Sequence, residues 1–236
     1  MRYPLPTISV IIPALNEEAN IAAAAEEVTR TFQGKVSDYE LLLFNDGSSD
    51  RTGEIMDQLA AKDPHIRVTH NAHSKNLGGV YKQGLAMARC EYLMMVPGDN
   101  ENPGSAILPI MEEIGKAEIV IPYTTNAHVR PWRRRIISRV YTTLINILFG
   151  NRLKYYNGTT VCRVADVRAL TITTNSFAYQ SEVLLKHLKA GKTYVEVGIE
   201  ISPREGRDSK ALCMQNVVNV FKDVALLYAE INLKRS

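Results

Sequence analysis

Ile8-Ser9-Val10-Ile11-Ile12-Pro13 is a short, mostly β-branched apolar run stopped by proline, which predicts a buried strand ending in a loop. Asn16-Glu17-Glu18 comes next and is expected to open a helix through about Arg30, with its carboxylates in the first turn where the macrodipole favours them. Glu40-Leu41-Leu42-Leu43-Phe44-Asn45 predicts a second strand, halted at Asp46-Gly47-Ser48-Ser49-Asp50. Ser49 or Asp50 can cap a helix over 52–61. Strand, helix, strand and helix joined by short turns are the units of a parallel sheet.

The same alternation continues. Ile66-Arg67-Val68-Thr69 is a third strand, and Gly78-Gly79-Val80 leads into a helix to about Ala88. Tyr92-Leu93-Met94-Met95-Val96 is nearly all apolar, as a central strand buried on both faces must be, and it runs straight into Pro97-Gly98-Asp99-Asn100-Glu101. A helix over 106–115 and a strand over 118–121 follow. Arg130-Pro131-Trp132-Arg133-Arg134-Arg135 then begins a basic, apolar amphipathic helix over 130–150. A helix over 181–189, a strand over 193–201 and a helical extension over 211–236 complete the pattern. The expected class is α/β, with a mostly parallel central sheet flanked by helices.

The 236 residues suit one domain spanning 1–236, with 45% apolar and 22% charged residues, enough for a sizeable core. A net charge of +3 does not indicate a nucleic-acid partner. Cys90, Cys162 and Cys213 lie far apart without a CxxC pair, which suits free thiols in a reducing compartment. No secretory signal and no run of about 18 apolar residues is visible, so a cytoplasmic protein, soluble or peripheral at the inner membrane face, is expected. The apolar helix over 136–149 can pack on a lipid surface or on a second copy in a homo-oligomer.

Ligands of open α/β sheets bind outside the carboxyl ends of the strands, and the acidic clusters fall there. Asp46 can accept hydrogen bonds from a base or ribose, or simply shape a turn. Asp99 and Glu101 can both reach a hard divalent cation, which prefers oxygen ligands; an exposed acidic turn is the plainer alternative. Arg134 and Ser138 are spaced i,i+4 and can hold a phosphate from one helix face. Arg204 and Lys210, in Pro203-Arg204-Glu205-Gly206-Arg207-Asp208-Ser209-Lys210, suit phosphate recognition or a charged surface loop.

Taken in order, Val10 to Glu18, Asn45-Asp46-Gly47-Ser48-Ser49-Asp50-Arg51-Thr52, Asn76-Leu77-Gly78-Gly79, the Asp99 turn, Trp132 to Ser138, Asn157-Gly158-Thr159, Glu182 and Arg204 to Lys210 resemble the family 2 inverting glycosyltransferases. Within that family the likeness is to the polyprenyl- and dolichyl-phosphate mannosyl- and glucosyltransferases, over residues 7 to 211. The resemblance implies a GT-A type fold and a GDP- or UDP-sugar donor held by Pro13, Ala14, Asn16, Glu17, Asp46, Lys75 and Asp99. It also implies Mg²⁺ or Mn²⁺ on Asp99 and Glu101, and phosphate groups on Arg134, Ser138, Arg204 and Lys210. A lipid phosphate at the membrane surface is one acceptor and needs no base; a hydroxyl acceptor needs one, for which Glu182 is the candidate.

This sequence departs from the family at several points. Asn45 replaces the first aspartate of the first acidic turn. The metal turn lacks one carboxylate of D-x-D and has Glu101 where glutamine is usual. Tyr123 stands near a common arginine, and Arg207 displaces a glycine. A sugar nucleotidyltransferase or a non-catalytic nucleotide-sugar binding module would use the same strand-end architecture.

Overall fold

The computed structural model describes residues 5–203 and 214–232. Seven strands form one sheet in the order β3-β2-β1-β4-β6-β5-β7. They are β1 (Thr7–Ala14), β2 (Asp38–Asn45), β3 (Ile66–His70), β4 (Tyr92–Met95), β5 (Ile119–Thr124), β6 (Val161–Arg163) and β7 (Tyr194–Ile199). The helices are α1 (Ile21–Phe32), α2 (Thr52–Lys62), α3 (Asn76–Met87), α4 (Gly104–Glu113), α5 (Trp132–Phe149), α6 (Val164–Arg168), α7 (Tyr179–Lys189) and α8 (Met214–Asn232), with a 3₁₀ turn at Ala127–Val129. The sheet is mostly parallel; among the described strands only β6 runs antiparallel to its neighbours, β4 and β5.

The continuous apolar runs are explained by burial on both faces of the sheet. Successive strand residues point to opposite sides. Val10, Ile12, Leu41, Leu43 and Met94 pack with Ile21, Val28 and Phe32 of α1, Met56 of α2, and Ile107 and Ile110 of α4. Ile11, Leu42, Phe44, Leu93 and Met95 pack with Val80 of α3, Ile145 of α5, Val167 of α6, Val183 of α7, and Val224 and Leu227 of α8. Central β4 is buried along its whole length. Cys162 sits in this core, with burial pushing its thiol up to about 12, while Cys90 is half-buried; both are free. Cys213 lies outside the described residues.

The first helix is shorter than the sequence suggests. Asn16 is left-handed, at φ 59°, and the Glu17 carbonyl accepts the N–H groups of Asn20 and Ile21. The helix therefore begins at Ile21 and has no acidic residue in its first turn. Glu17 and Glu18 instead give their backbone N–H groups to Thr52 Oγ1 and the Asp50 carboxylate. Asp50 also accepts the Thr52 N–H, so it organises the entry to α2.

On α7, His187 is 2% exposed. Burial holds its pKa below the ordinary histidine value, against the smaller opposing pull of the Val183 carbonyl one turn earlier and the Asp166 carboxylate. The folded chain thus favours the neutral imidazole, and acid favours the unfolded chain, which binds the proton more readily. Stability from this residue is complete above a pH of about 6.5 and is lost as pH falls through the lower folded value. Urea midpoints measured from pH 7 to pH 5 should fall less steeply for His187→Leu than for the wild type.

Candidate active site

The chain leaves β1 towards β2 and β3 on one side and later returns through β4 on the other, so the carboxyl ends of β1 and β4 flank the crevice where open sheets bind ligands. Backbone bonds fix that edge. Val96 N–H donates to the Ile11 carbonyl at 2.9 Å, Gly98 N–H to Pro13 at 3.0 Å and Asp46 N–H to Ala14 at 2.9 Å. A Cβ on Gly98 would stand 3.1 Å from Ala14 Cβ, Ile21 Cδ1 and the Pro13 oxygen, so glycine permits the close approach.

A cavity of about 550 Å³ opens there. Its lining includes the polar groups of Glu17, Asp46, Ser74 and Asp99, the side chains of Arg130, Arg134 and Ser138, and the apolar residues Ile137, Val140, Phe177 and Val220. The i,i+4 pair Arg134 and Ser138 therefore faces the same space as the acidic turns. Arg204 and Lys210 lie outside the described residues.

Asp46 is buried, and its carboxylate accepts three protein donors: Asn71 Nδ2 at 2.9 Å, Ser74 Oγ at 2.6 Å and the Lys75 N–H at 2.9 Å. Its first task is thus to tie the segment 71–75 to the end of β2. Gly47, at φ +83°, lets the chain turn beneath Ser74. Lys75 contributes its backbone, while its exposed side chain is not among the residues lining the cavity. Asn16 also stays off the cavity wall; its Oδ1 accepts the Ser49 N–H at 2.8 Å. Asn45 Oδ1 accepts the Ser48 N–H, and its amide meets His70 Nδ1, so the residue that replaces an aspartate shapes the turn.

Asp99 and Glu101 share one turn, with the Glu101 N–H donating to Asp99 Oδ1 at 3.2 Å. Their surroundings differ. Asp99 is half-buried on the cavity wall. Glu101 is 5% exposed and held by two arginines, Arg134 at 2.9 Å and Arg130 at 3.3 Å. Pairing with arginine makes Glu101 a weaker candidate ligand for a cation than Asp99, because the guanidinium groups already occupy both its oxygens.

The structure does not support a base role for Glu182. Its side chain is entirely buried and absent from the cavity wall. It accepts the N–H groups of Thr173 and Thr174, each at 2.9 Å, and pairs with Lys186 at 2.8 Å. Burial raises its pKa, but Lys186 and the two backbone donors outweigh that and hold it below the usual carboxylate range. Helical propensity and spacing cannot distinguish such an anchor from a base.

Arg130, which the sequence marks as the start of a basic run, and Tyr155, which no sequence pattern marks, also line the cavity. Arg130 precedes α5 and donates to Tyr155 Oη at 3.2 Å as well as to Glu101. Helical spacing within 132–149 does not extend to it; the only signal was its membership of the arginine run.

The pattern described as Glycosyl transferase family 2 matches residues 9–170. The chain belongs to that family. It is 32% identical over 117 residues to the uncharacterized glycosyltransferase EpsJ of Bacillus subtilis, a match covering 50% of this chain and 33% of that protein. It is 25% identical over 227 residues to undecaprenyl-phosphate mannosyltransferase of Micrococcus luteus, covering 90% and 92%. Against several other relatives the chain spans between 33% and 66% of the full length. The solved structure of glucosyl-3-phosphoglycerate synthase from Mycobacterium tuberculosis with Mg²⁺ and UDP superposes with a TM-score of 0.69 at 16% identity, covering 96% of this chain and 79% of that one. The fold is the GT-A type of this family.

If Glu182 is an anchor, Glu182→Ala should lower unfolding stability by about 3 kcal/mol, the lower end for breaking a buried ion pair. Lys186 keeps Glu230 at 2.8 Å, so its charge is not left alone. Urea denaturation measures the loss, and turnover per folded molecule should stay within about twofold, far less than removing a general base would cost.

Proposed function

We propose that this chain transfers a sugar from a GDP- or UDP-sugar to a polyprenyl phosphate at a membrane surface, with inversion and with Mg²⁺ or Mn²⁺. The observation that carries the reading is the single cavity in which Asp46 and Asp99 share a wall with Arg134, Ser138 and an apolar flank. Polar groups suit the nucleotide diphosphate, the arginine and serine suit an anionic acceptor, and Ile137, Val140, Phe177 and Val220 suit the start of a prenyl chain. Names of family members such as undecaprenyl-phosphate mannosyltransferase support that acceptor class.

The residues present fit a divalent ion. Asp99 and Asn102 offer oxygen atoms from one turn on the cavity wall, the donor type that a hard divalent cation prefers. No three His, Cys, Asp or Glu side chains converge among the described residues, and Mg²⁺ is commonly held by one or two carboxylates together with substrate phosphates. Such an ion would draw negative charge from the departing diphosphate.

In the reaction, an oxygen of the acceptor phosphate attacks the anomeric carbon and the bond from that carbon to the diphosphate oxygen breaks, its electron pair leaving with the nucleotide. The acceptor oxygen arrives ionised, so no base is required, in keeping with the structural role of Glu182. Arg134 and Ser138 orient the acceptor, and the tie from Asp46 to segment 71–75 keeps the donor end of the cavity in shape.

The membrane reading is supported by α5. Trp132, Ile136, Val140 and Ile147 are exposed at helical spacings, beside exposed Arg133 and Arg139, the pairing of greasy and cationic groups that favours anionic lipid. No helix among the described residues is long and apolar enough to cross a membrane.

The test is transfer of labelled sugar into organic-extractable prenyl phosphate on phosphatidylglycerol vesicles, with a panel of UDP- and GDP-sugars. Asp99→Asn should lower transfer by about a hundredfold, and Ile136→Asp with Ile147→Asp should abolish vesicle sedimentation. Product that appears equally with prenol, or without any divalent ion, contradicts the proposal.

A further inference from the structure

We propose that Glu27, on α1, is a positioning residue for the turn 98–104 that carries Asp99, because it caps the start of α4 from a neighbouring helix. The inference rests on the proposed reading of Asp99 as a carboxylate for the divalent ion and names what holds that carboxylate in place.

The sequence leaves α4 without a cap of its own. The first N–H groups of a helix have no partner within it, and a serine, threonine, aspartate or asparagine just before the helix usually supplies one. That residue here is Pro103, which has no side-chain acceptor, and no acidic residue stands in the first turn of α4. Glu27 fills the role from 77 positions away, its Oε2 accepting the Gly104 N–H at 2.7 Å. The Gly104 N–H holds the Glu27 carboxyl below the usual carboxylate range, outweighing partial burial and aided by Arg30. The ionised group also suits the positive end of the helix dipole.

Glycine at 104 permits the contact. A Cβ there would stand 2.6 Å from Thr31 Oγ1 and 2.9 Å from Glu27 Oε2, so a larger residue pushes the carboxylate off the N–H. At the other end of the same turn, a Cβ on Gly98 would stand 3.1 Å from Ile21 Cδ1, and Ile21 is the first residue of α1. Ile21 and Glu27, about 9 Å apart along the axis at the usual helical rise, therefore meet the two ends of the turn. Between those ends Asn100 is left-handed, at φ 56°, and Glu101 is held by its arginines. Asp99 reaches the cavity wall from this span, whereas Glu27 is not among the lining residues and acts through the turn. Mg²⁺ demands near-ideal octahedral geometry, so a carboxylate on a turn held at both ends serves it better than one on a turn held at one.

The test reads metal binding without sugar transfer. Mn²⁺ would be titrated into the protein with saturating UDP or GDP, well below the melting temperature, and free Mn²⁺ followed by electron paramagnetic resonance. Thermal melting would be recorded for each variant. Glu27→Ala should raise the Mn²⁺ midpoint by about fivefold, part of what one hydrogen bond to a charged group contributes. Glu27→Gln keeps an acceptor without the charge and should fall between Glu27→Ala and the wild type. Arg30→Ala leaves the Gly104 contact in place and should stay within about twofold, as expected for an exposed pair. A cap that only stabilises α4 would lower the melting temperature of Glu27→Ala and leave its Mn²⁺ midpoint at the wild-type value. That result overturns the proposal, as does an equal loss for Arg30→Ala. Should Glu27→Ala melt too early to titrate, Glu27→Gln decides: a raised midpoint supports the proposal and a wild-type midpoint overturns it. Asp99→Asn separates this inference from the reading beneath it. If Asp99→Asn loses Mn²⁺ while Glu27→Ala does not, the ion site stands and the positioning role fails; if Asp99→Asn keeps the wild-type midpoint, the reading of Asp99 fails and the positioning role with it.

Discussion

Everything at the site depends on how the ends of three parallel strands are tied. β1 lies between β2 and β4, and its last residues accept backbone bonds from both neighbours' following turns, Asp46 on one side and Gly98 on the other. These bonds place two acidic turns, far apart in sequence, on the rim of one crevice. Gly98 is required because Ala14, Ile21 and the Pro13 carbonyl crowd the position of a Cβ. Packing on both faces of the sheet makes this rim rigid; the chemistry is assembled on it.

Acidic residues near the crevice acquire different roles from the donors around them. Asp46 accepts a side-chain amide, a hydroxyl and a backbone N–H, and so holds a loop. Glu182 is drawn into the core by two backbone N–H groups and a lysine. Glu101 is taken by two arginines, and Asp99 keeps a place on the cavity wall. Burying an ionised carboxylate is costly unless it is paired, and each of the three most buried carboxylates has such partners. Asp99, half-buried, lines the cavity beside these anchored groups.

Much of the fold was legible because local and global signals agree. Strands such as Leu41 to Phe44 and Tyr92 to Met95 are apolar on both faces and stop at turn residues, which is what a covered parallel sheet demands. The start of α1 was misplaced because a left-handed Asn16 breaks a helix that residue type alone allows. Three-residue β6 and five-residue α6 are too short to show a period. At the site, position after a strand pointed to Asp46 and Asp99, and i,i+4 spacing on one helix pointed to Arg134 and Ser138; all four line one cavity. The ion pairs that assign Glu101 and Glu182 join residues 33 and 4 positions apart. The former depends on tertiary packing, and the latter looks in sequence like any surface pair on a helix.

The most direct measurement is a crystal structure of the chain grown with UDP and Mn²⁺, with manganese located by anomalous scattering. The account predicts an anomalous peak beside the Asp99 carboxylate, diphosphate oxygens on the same ion at the carboxyl ends of β1 and β4, and Glu101 still paired with Arg130 and Arg134. An ordered nucleotide bound elsewhere, or a manganese peak remote from Asp99, would contradict it.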